Sequence, residues 1–378
     1  MSILDSMEYL ESIDKNHMLK IQTSFPENCE DAIRRSEVLK IPRKLKISEN
    51  SILYTKPKNI LIAGMGGSAI GGEVLKDWLQ YKINIPVEIS RSYDLPAYCD
   101  EETLVLAVSY SGNTEETLSS FVDAIERSCM VVSISSGGHL SRFSTKLGVP
   151  LVRLPSNFPP RIAFPYLFFP LTVILRKMGV YQNEDSEIKN TIETLKSLRI
   201  KLAPEISTPD NLAKKLALEV QDRIPVIYGF GHYRSIALRM KTQFNENSKI
   251  TALCDVFPEL SHNAVVGWMG IEDLGKCFAV IFIRDSEEPI EIRSRIILTK
   301  KIALREIEKI FEIFAEGDSK LARMLSVLYV GDFASIYLAL LRGIDPTPVE
   351  VIEEIKKELQ KEVLTVDGLQ QRIRKLKF

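Results

Sequence analysis

One recurring junction constrains this chain more than any other feature: a short apolar run that ends in glycine or serine and then opens a helix. Ile60-Leu61-Ile62-Ala63 breaks at Gly64-Met65-Gly66-Gly67-Ser68, and a helical pattern follows to Gln80. A run this short between turn signals reads as a strand buried on both faces. Pro86–Ser90, Leu104–Ser109, Val131–Ser135 and Val149–Leu154 repeat the pattern, with helical stretches between most of them, notably Thr114–Glu126. Such alternation predicts a parallel sheet with helices on both faces.

After the polar segment Tyr181–Ser207, read as a linker helix, the pattern restarts. Ile224–Tyr228 is the expected strand, Gly229-Phe230-Gly231 its turn and His232–Asn245 its helix. Cys277–Arg284 reads as another strand, Ile302–Phe314 as a long amphipathic helix and residues 321–342 as an apolar helix. Pro346 and Pro348 separate these from a last helix, Val349–Lys361. The expected organisation is a helical segment over 1–46, an α/β domain over 47–180, the linker over 181–207, and a second α/β domain with a C-terminal helix over 208–378. Two similar units in tandem suggest a duplication.

The chain of 378 residues is 45% hydrophobic and 26% charged, enough apolar material for two cores. Its 49 basic and 50 acidic residues leave a net charge of -1, which supplies no general field for nucleic acid or anionic membrane. Five cysteines without CxxC spacing argue against a disulfide framework or a zinc ribbon. The acidic start of the chain does not resemble a secretory signal. Ile162–Leu175, 14 residues broken by Pro165 and Pro170, falls short of the about 20 a membrane span needs. The expectation is a soluble, cytoplasmic protein.

Two turns carry chemistry. Gly64-x-Gly66-x-x-Ala69 fits a dinucleotide fingerprint, with Glu88 as the only acid near the expected place, and the absence of G-K-[ST] excludes a Walker A loop. Gly66, Gly67 and Ser68 offer backbone N–H groups and a hydroxyl at a helix start, which suits an oxygen-rich ligand. The second turn, Ser109-Tyr110-Ser111-Gly112-Asn113-Thr114, places three hydroxyls and a glycine between a strand and a helix that opens with Glu115-Glu116. Helix N–H groups, the positive dipole end and hydroxyl donors together meet the needs of a phosphate monoester. The plainer alternative is a capping box, which needs only one hydroxyl.

Ser-x-Ser-Gly-x-Thr after a strand, paired with an upstream GMGGS turn, resembles the sugar isomerase (SIS) fold. The resemblance implies two tandem SIS-type, flavodoxin-like, doubly wound domains. The chain is most similar to the bifunctional phosphoglucose/phosphomannose isomerase family, through GMGGSAIGG (64–72), SYSGNT (109–114), PPRIAFP (159–165), NENSK (245–249) with ELSHN (259–263), and GIDPTPV (343–349). In the second unit Arg284-Asp285-Ser286-Glu287-Glu288 falls where a phosphate loop would lie, and its acids would repel a phosphate.

The resemblance implies an isomerase interconverting glucose 6-phosphate or mannose 6-phosphate with fructose 6-phosphate through a cis-enediol, without metal or other cofactor. Gly66, Gly67, Ser68, Ser109, Ser111 and Thr114 would bind the phosphosugar. Glu246 would be the base that moves the proton between neighbouring carbons. His262 would open the sugar ring, and Arg161 would stabilise the enediolate. The last helix would supply Lys356 or Lys357. At about 100° per residue, Lys356 falls inside the arc of Val349, Ile352, Ile355 and Leu359, and Lys357 outside it. Thr347 would touch the sugar near C2. The implied partners are the phosphosugar and a second copy of the chain in a homodimer with shared active sites, with no nucleic acid and no membrane. The competing readings are a non-catalytic phosphosugar regulator, another SIS sugar-phosphate isomerase such as an amidotransferase type, and a dinucleotide-dependent enzyme.

Overall fold

The computed structural model describes all residues except 1, 48, 49, 183, 184, 272, 273, 363, 364, 377 and 378. Residues 183 and 184, in the segment read as a linker helix, therefore lie outside the described residues; Asp185–Leu202 of that segment is helical. The chain divides into two compact units.

The five-stranded unit comprises 27–184 and 349–378. Its sheet is built from β1 (Asn59–Ala63), β2 (Val87–Ser90), β3 (Thr103–Val108), β4 (Met130–Ser135) and β5 (Leu151–Arg153), in the order β2-β1-β3-β4-β5, with every neighbouring pair parallel. β3 and β4 are buried along their whole length, as near-continuous apolar strands of a parallel sheet must be. The helix α1 (Gly67–Leu79) follows β1, and α2 (Glu115–Glu126) follows β3. The strand order reverses between β1 and β3. In an open parallel sheet that reversal leaves a crevice beyond the carboxyl ends of the two strands, where ligands bind. A hairpin of Lys44–Ile47 with Asn50–Leu53, absent from the sequence reading, precedes the sheet.

The four-stranded unit comprises 1–26 and 185–348. Here β6 (Ile224–Phe230), β7 (Leu253–Phe257), β8 (Phe278–Arg284) and β9 (Lys309–Phe314) pair in the order β9-β8-β6-β7, again all parallel. Counted from its own first strand, this is the 2-1-3-4 order of the other unit without the fifth strand. The tandem expectation therefore holds at the level of topology. α3 (Arg234–Ser248) follows β6, and α4 (Ile290–Ile302) follows β8. The apolar helix α5 (Lys320–Leu341) forms the core of this unit. By length and composition it is the one described helix able to cross a membrane, and 94% of its apolar window is buried inside the protein. It is tied to α3 by a bidentate pair, Arg239 Nε to Asp332 Oδ1 at 3.0 Å and Nη2 to Oδ2 at 2.7 Å.

Three expectations require correction. The segment Ile302–Phe314 is not a helix: α4 ends at Ile302, and Lys309-Ile310-Phe311-Glu312-Ile313-Phe314 forms β9. Its β-branched and aromatic residues fit a half-buried strand, although their spacing also satisfies a helical period. Residues 1–46 are not one segment, because 1–26 cluster with the four-stranded unit and 27–46 with the five-stranded unit. Residues 349–378, expected with the second domain, likewise pack in space with the five-stranded unit. They form α6 (Glu350–Glu362) and α7 (Thr365–Lys375), and α7 packs on α2 with Leu369 and Ile373 buried and Arg372 Nε bonded to Glu126 at 3.0 Å.

Candidate functional site

In the five-stranded unit, the turns after β1 and β3 meet at the strand-order reversal. Gly66 has φ +49° and is exposed, and a Cβ built there would have no heavy atom within 4 Å. This backbone is one that glycine adopts freely, and it leaves the start of α1 open to a ligand. Gly66 is the N-cap of α1 and makes no side-chain cap. Ser68 Oγ accepts the N–H of Tyr110 at 3.1 Å, which ties the first turn to the second.

The second turn is braced from within and from below. Ser109 Oγ and Thr114 Oγ1 share a hydrogen bond of 2.9 Å, and the Gly112 N–H donates to Ser109 Oγ at 3.1 Å. The carbonyl of Tyr110 accepts from the Ser136 hydroxyl at 2.6 Å, and Asn113 Oδ1 accepts the N–H of His139 at 3.1 Å. Gly112 has φ +70°, and a Cβ there would lie 1.9 Å from the carbonyl oxygen of Gly137. Only glycine lets the loop close against its support. Thr114, the N-cap of α2, makes no side-chain cap, so the capping-box alternative is not realised. Two helix N-termini without side-chain caps, each carrying partial positive charge, thus open on one crevice.

Of the residues expected to bind ligand, Gly66 and Ser111 are exposed, and Gly67 and Thr114 are half-buried. Ser68 and Ser109 are buried; Ser68 ties the first turn to the second, and Ser109 braces the second from within. Arg161 is 3% exposed, in the turn that enters the helix Phe164–Lys177. A Cβ on Gly67 would lie 3.1 Å from the Pro160 oxygen and 3.4 Å from the Arg161 Cα. Arg161 therefore enters the same region as the first turn. A guanidinium buried to this degree needs anionic or carbonyl partners.

The equivalent crevice of the four-stranded unit is filled by its own side chains. Gly231 repeats the geometry of Gly66, with φ +46° and nothing within 4 Å. Asp285 repeats the turn of Ser109: the Glu288 N–H bonds the Asp285 carbonyl at 3.2 Å, as the Gly112 N–H bonds the Ser109 carbonyl at 3.1 Å. Asp285 Oδ2 accepts from the Tyr233 hydroxyl at 2.5 Å and from Arg323 Nε at 3.1 Å, and Oδ1 accepts the Glu287 N–H at 2.9 Å. Burial raises the Asp285 pKa, but the nearby His232 imidazole, 3.8 Å away, the hydrogen bonds from Tyr233 and the backbone, and the Arg323 charge outweigh it and hold the carboxyl well below its ordinary range. An internal carboxylate thus occupies the place where the other unit is open. Arg323 and Asp332 within an apolar helix were the sequence signal for buried ion pairs, and the sequence reading did not use it.

Glu246 lies in the last turn of α3, which runs to Ser248 rather than ending at Asn245. It is half-buried, and its neighbours are pinned: Asn245 Nδ2 donates to Ile250 O at 2.8 Å, and Asn247 Nδ2 to Ser335 Oγ at 2.9 Å. A carboxylate at a helix C-terminus opposes the dipole, so its placement does not serve the helix. His262 is exposed, in the short 3-10 helix Glu259–His262. Thr347 is half-buried, and its N–H donates to Asp345 Oδ1 at 2.9 Å.

The expected packed face of the last helix is not packed within this chain. Ile352, Ile355 and Leu359 are 40%, 62% and 40% exposed, and Lys356 and Lys357 are both exposed. The periodicity marks an apolar stripe but not what covers it, so burial does not single out Lys356. Among the described residues, no group of three or more His, Cys, Asp or Glu side chains is arranged to hold a metal ion.

Residues 53–146 match the SIS domain, and residues 209–359 match the bacterial phospho-glucose isomerase C-terminal SIS domain. A bifunctional phosphoglucose/phosphomannose isomerase of Caldicellulosiruptor bescii is 40% identical over 323 residues, 84% of this chain and 95% of that protein. The chain belongs to the bifunctional phosphoglucose/phosphomannose isomerase family. Another member, from Aquifex aeolicus, is 37% identical over 310 residues, 81% of this chain and 92% of that protein. The crystal structure of a glucose-6-phosphate isomerase like protein from Thermus thermophilus shares the fold, with a TM-score of 0.59 at 20% identity over 92% of this chain and 99% of that one.

The stretches that carried the resemblance to the phosphoglucose/phosphomannose isomerases are gathered within the two units. GMGGS, SYSGNT and PPRIAFP meet in the five-stranded unit through the Ser68–Tyr110 bond and the Gly67–Pro160 approach. NENSK and GIDPTPV meet in the four-stranded unit, where Lys249 Nζ donates to the Pro346 carbonyl at 3.0 Å.

Proposed function

We propose that this chain is an aldose–ketose isomerase, an intramolecular oxidoreductase that interconverts glucose 6-phosphate and mannose 6-phosphate with fructose 6-phosphate. The observation that carries the reading is kinship with isomerases of that name over more than four-fifths of this chain and more than nine-tenths of each relative. The crevice of the five-stranded unit agrees with it, since backbone N–H groups, hydroxyls and two helix dipoles suit a phosphate ester. The filled crevice of the other unit argues for one phosphosugar per chain.

In this reading the ester binds at Gly66, Gly67, Ser111 and Thr114, on turns held by Ser68 and Ser109. His262 moves protons at the ring oxygen and O1 to open the ring. Glu246 takes the proton from C2 of the open aldose, and the electron pair forms the C1=C2 bond of a cis-enediolate. The same carboxyl returns the proton to C1 while the O2 proton passes to O1 and the C2=O bond forms, giving the ketose. Arg161 offsets the negative charge that develops on the enediolate oxygens. Lys356 or Lys357 serves the ring oxygen, and Thr347 lies near C2. Both aldoses yield the same enediol, so one carboxylate serves both epimers. No step calls for a metal or an organic cofactor.

The exposure of His262 in a single chain agrees with a homodimer in which this histidine completes a shared site. A cytoplasmic enzyme of glycolysis and gluconeogenesis, acting on a small metabolite without nucleic acid or membrane, completes the proposal. The test is a coupled assay with each aldose phosphate in EDTA, following fructose 6-phosphate. Turnover of both, lost in Glu246→Gln with phosphosugar binding intact, is expected. Binding without turnover in the wild-type protein would instead make it a phosphosugar regulator.

A further inference from the structure

Within the stretch Asn245–Lys249 the proposed mechanism uses only Glu246. Lys249 has its own peculiarity. It closes α3 with φ +55° and ψ +41°, in the left-handed region. Glycine or asparagine is the usual residue at such a helix end, because a side chain is sterically penalised there. A lysine in this place needs a reason beyond ending the helix.

Its ammonium supplies one. Nζ folds back to donate to the carbonyls of Glu246 at 2.5 Å and Asn247 at 3.4 Å, and also to the carbonyl of Pro346 at 3.0 Å. The first two bonds are ordinary capping by a cation at the negative end of a helix dipole. The third is not: it joins the turn that bears Glu246 to the loop 343–348. That loop is otherwise anchored at both ends of its approach. Arg342 donates from its guanidinium to the Ser248 carbonyl, Asp345 accepts the N–H of Thr347, and Pro346 is buried. The ammonium of Lys249 thus acts beside the Arg342 guanidinium as a pin between the carboxylate-bearing turn and this loop of the same unit.

We propose that Lys249 is a positioning residue for Glu246: by holding the Glu246 and Pro346 carbonyls with one ammonium, it fixes the carboxylate-bearing turn against the 343–348 loop. The proposal rests on the reading of Glu246 as the proton carrier. A carboxylate that shuttles a proton between adjacent carbons must meet both at short range, and a displacement of about 1 Å costs about 100-fold in rate.

The test is Lys249→Gly, which relieves the left-handed backbone and removes the pin. A residue that only caps the helix predicts a variant at least as stable as the wild type and fully active. The positioning role predicts that Tm is not lowered and kcat falls about 10- to 100-fold on both aldose phosphates, with KM changed less than about twofold. Lys249→Arg, whose guanidinium reaches the same carbonyls, recovers most of the lost kcat. Lys249→Asn, tolerant of the left-handed conformation but too short to reach Pro346, serves if the glycine variant does not fold. Glu246→Gln runs in parallel. If that variant is inactive while Lys249→Gly or Lys249→Asn keeps wild-type kcat, the positioning role is overturned and the role of Glu246 stands. If Glu246→Gln turns over normally, the reading on which the proposal rests fails with it.

Discussion

Replacing Asp285 by alanine removes the carboxylate on which Tyr233, Arg323 and the Glu287 N–H converge. The Arg323 side chain is 9% exposed and, among the described residues, keeps Glu287, itself 67% exposed, as its ion-pair partner. Breaking a buried ion pair by removing one partner costs about 3 to 5 kcal/mol. Because Glu287 remains, about 3 kcal/mol is expected for Asp285→Ala. Asp285→Asn, which still accepts the Tyr233 hydroxyl, should cost about 1 to 2 kcal/mol. The tryptophans make the assay specific. Trp268, bonded to the Tyr228 hydroxyl at 2.7 Å, lies in the four-stranded unit, and Trp78 lies in the other. In a Trp78→Phe background, urea titration followed by fluorescence reports the unit that holds Asp285.

The acid limb adds a second readout. Burial raises the Asp285 pKa, but its hydrogen bonds and Arg323 lower it further, so the folded value lies below the unfolded one. Its stabilisation is then fully present above the ordinary carboxylate pKa of about 4 and is lost as pH falls below it. The wild type should therefore lose stability more steeply below that pH than Asp285→Asn. A loss under about 1 kcal/mol for Asp285→Ala, with an unchanged acid slope, would refute the reasoning.

Three further outcomes are expected. Gly112→Ala should abolish phosphosugar binding measured by calorimetry, because its Cβ would lie 1.9 Å from the Gly137 oxygen and the second turn could not close. Ser111→Ala, which removes an exposed hydroxyl from that turn, should raise KM for both aldose phosphates with little change in kcat, in steady-state assays. Arg161→Met should lower kcat by about 100-fold while phosphate affinity, read from competition by inorganic phosphate, changes little.

The five-stranded sheet was legible because its central strands are short apolar runs that break at or near glycine or serine. Ile60–Ala63 before Gly64 is the clearest case. The four-stranded sheet was legible only in its two central strands, β6 and β8. Its edges escaped for opposite reasons. Leu253–Phe257 carries Cys254 and Asp255 and looks too polar for a strand, while Lys309–Phe314 has apolar spacing that also fits a helix. Periodicity also placed Ile352, Ile355 and Leu359 on one face, but a face says nothing of what lies against it. The candidate site was readable at Ser111, Thr114 and Gly66, where residue type dictates backbone and donors. The bracing hydrogen bonds of Ser68 and Ser109 depend on which turns become neighbours, as does the self-filled crevice around Asp285. Both are products of the fold rather than of local pattern.

The division of the chain into units has a consequence for synthesis. Residues 1–26 leave the ribosome before 27–184, and the rest of their unit, 185–348, follows only after that intervening stretch has emerged. The opening helices must wait, unpartnered, through the birth of a different body. That body in turn receives 349–378 only after 185–348 have been made. Neither half can be excised as one continuous piece of gene. A separately expressed half would have to be stitched from two fragments, and a ribosome stalled near residue 184 would display residues 1–26 before the segment they pack with, 185–348, has been made.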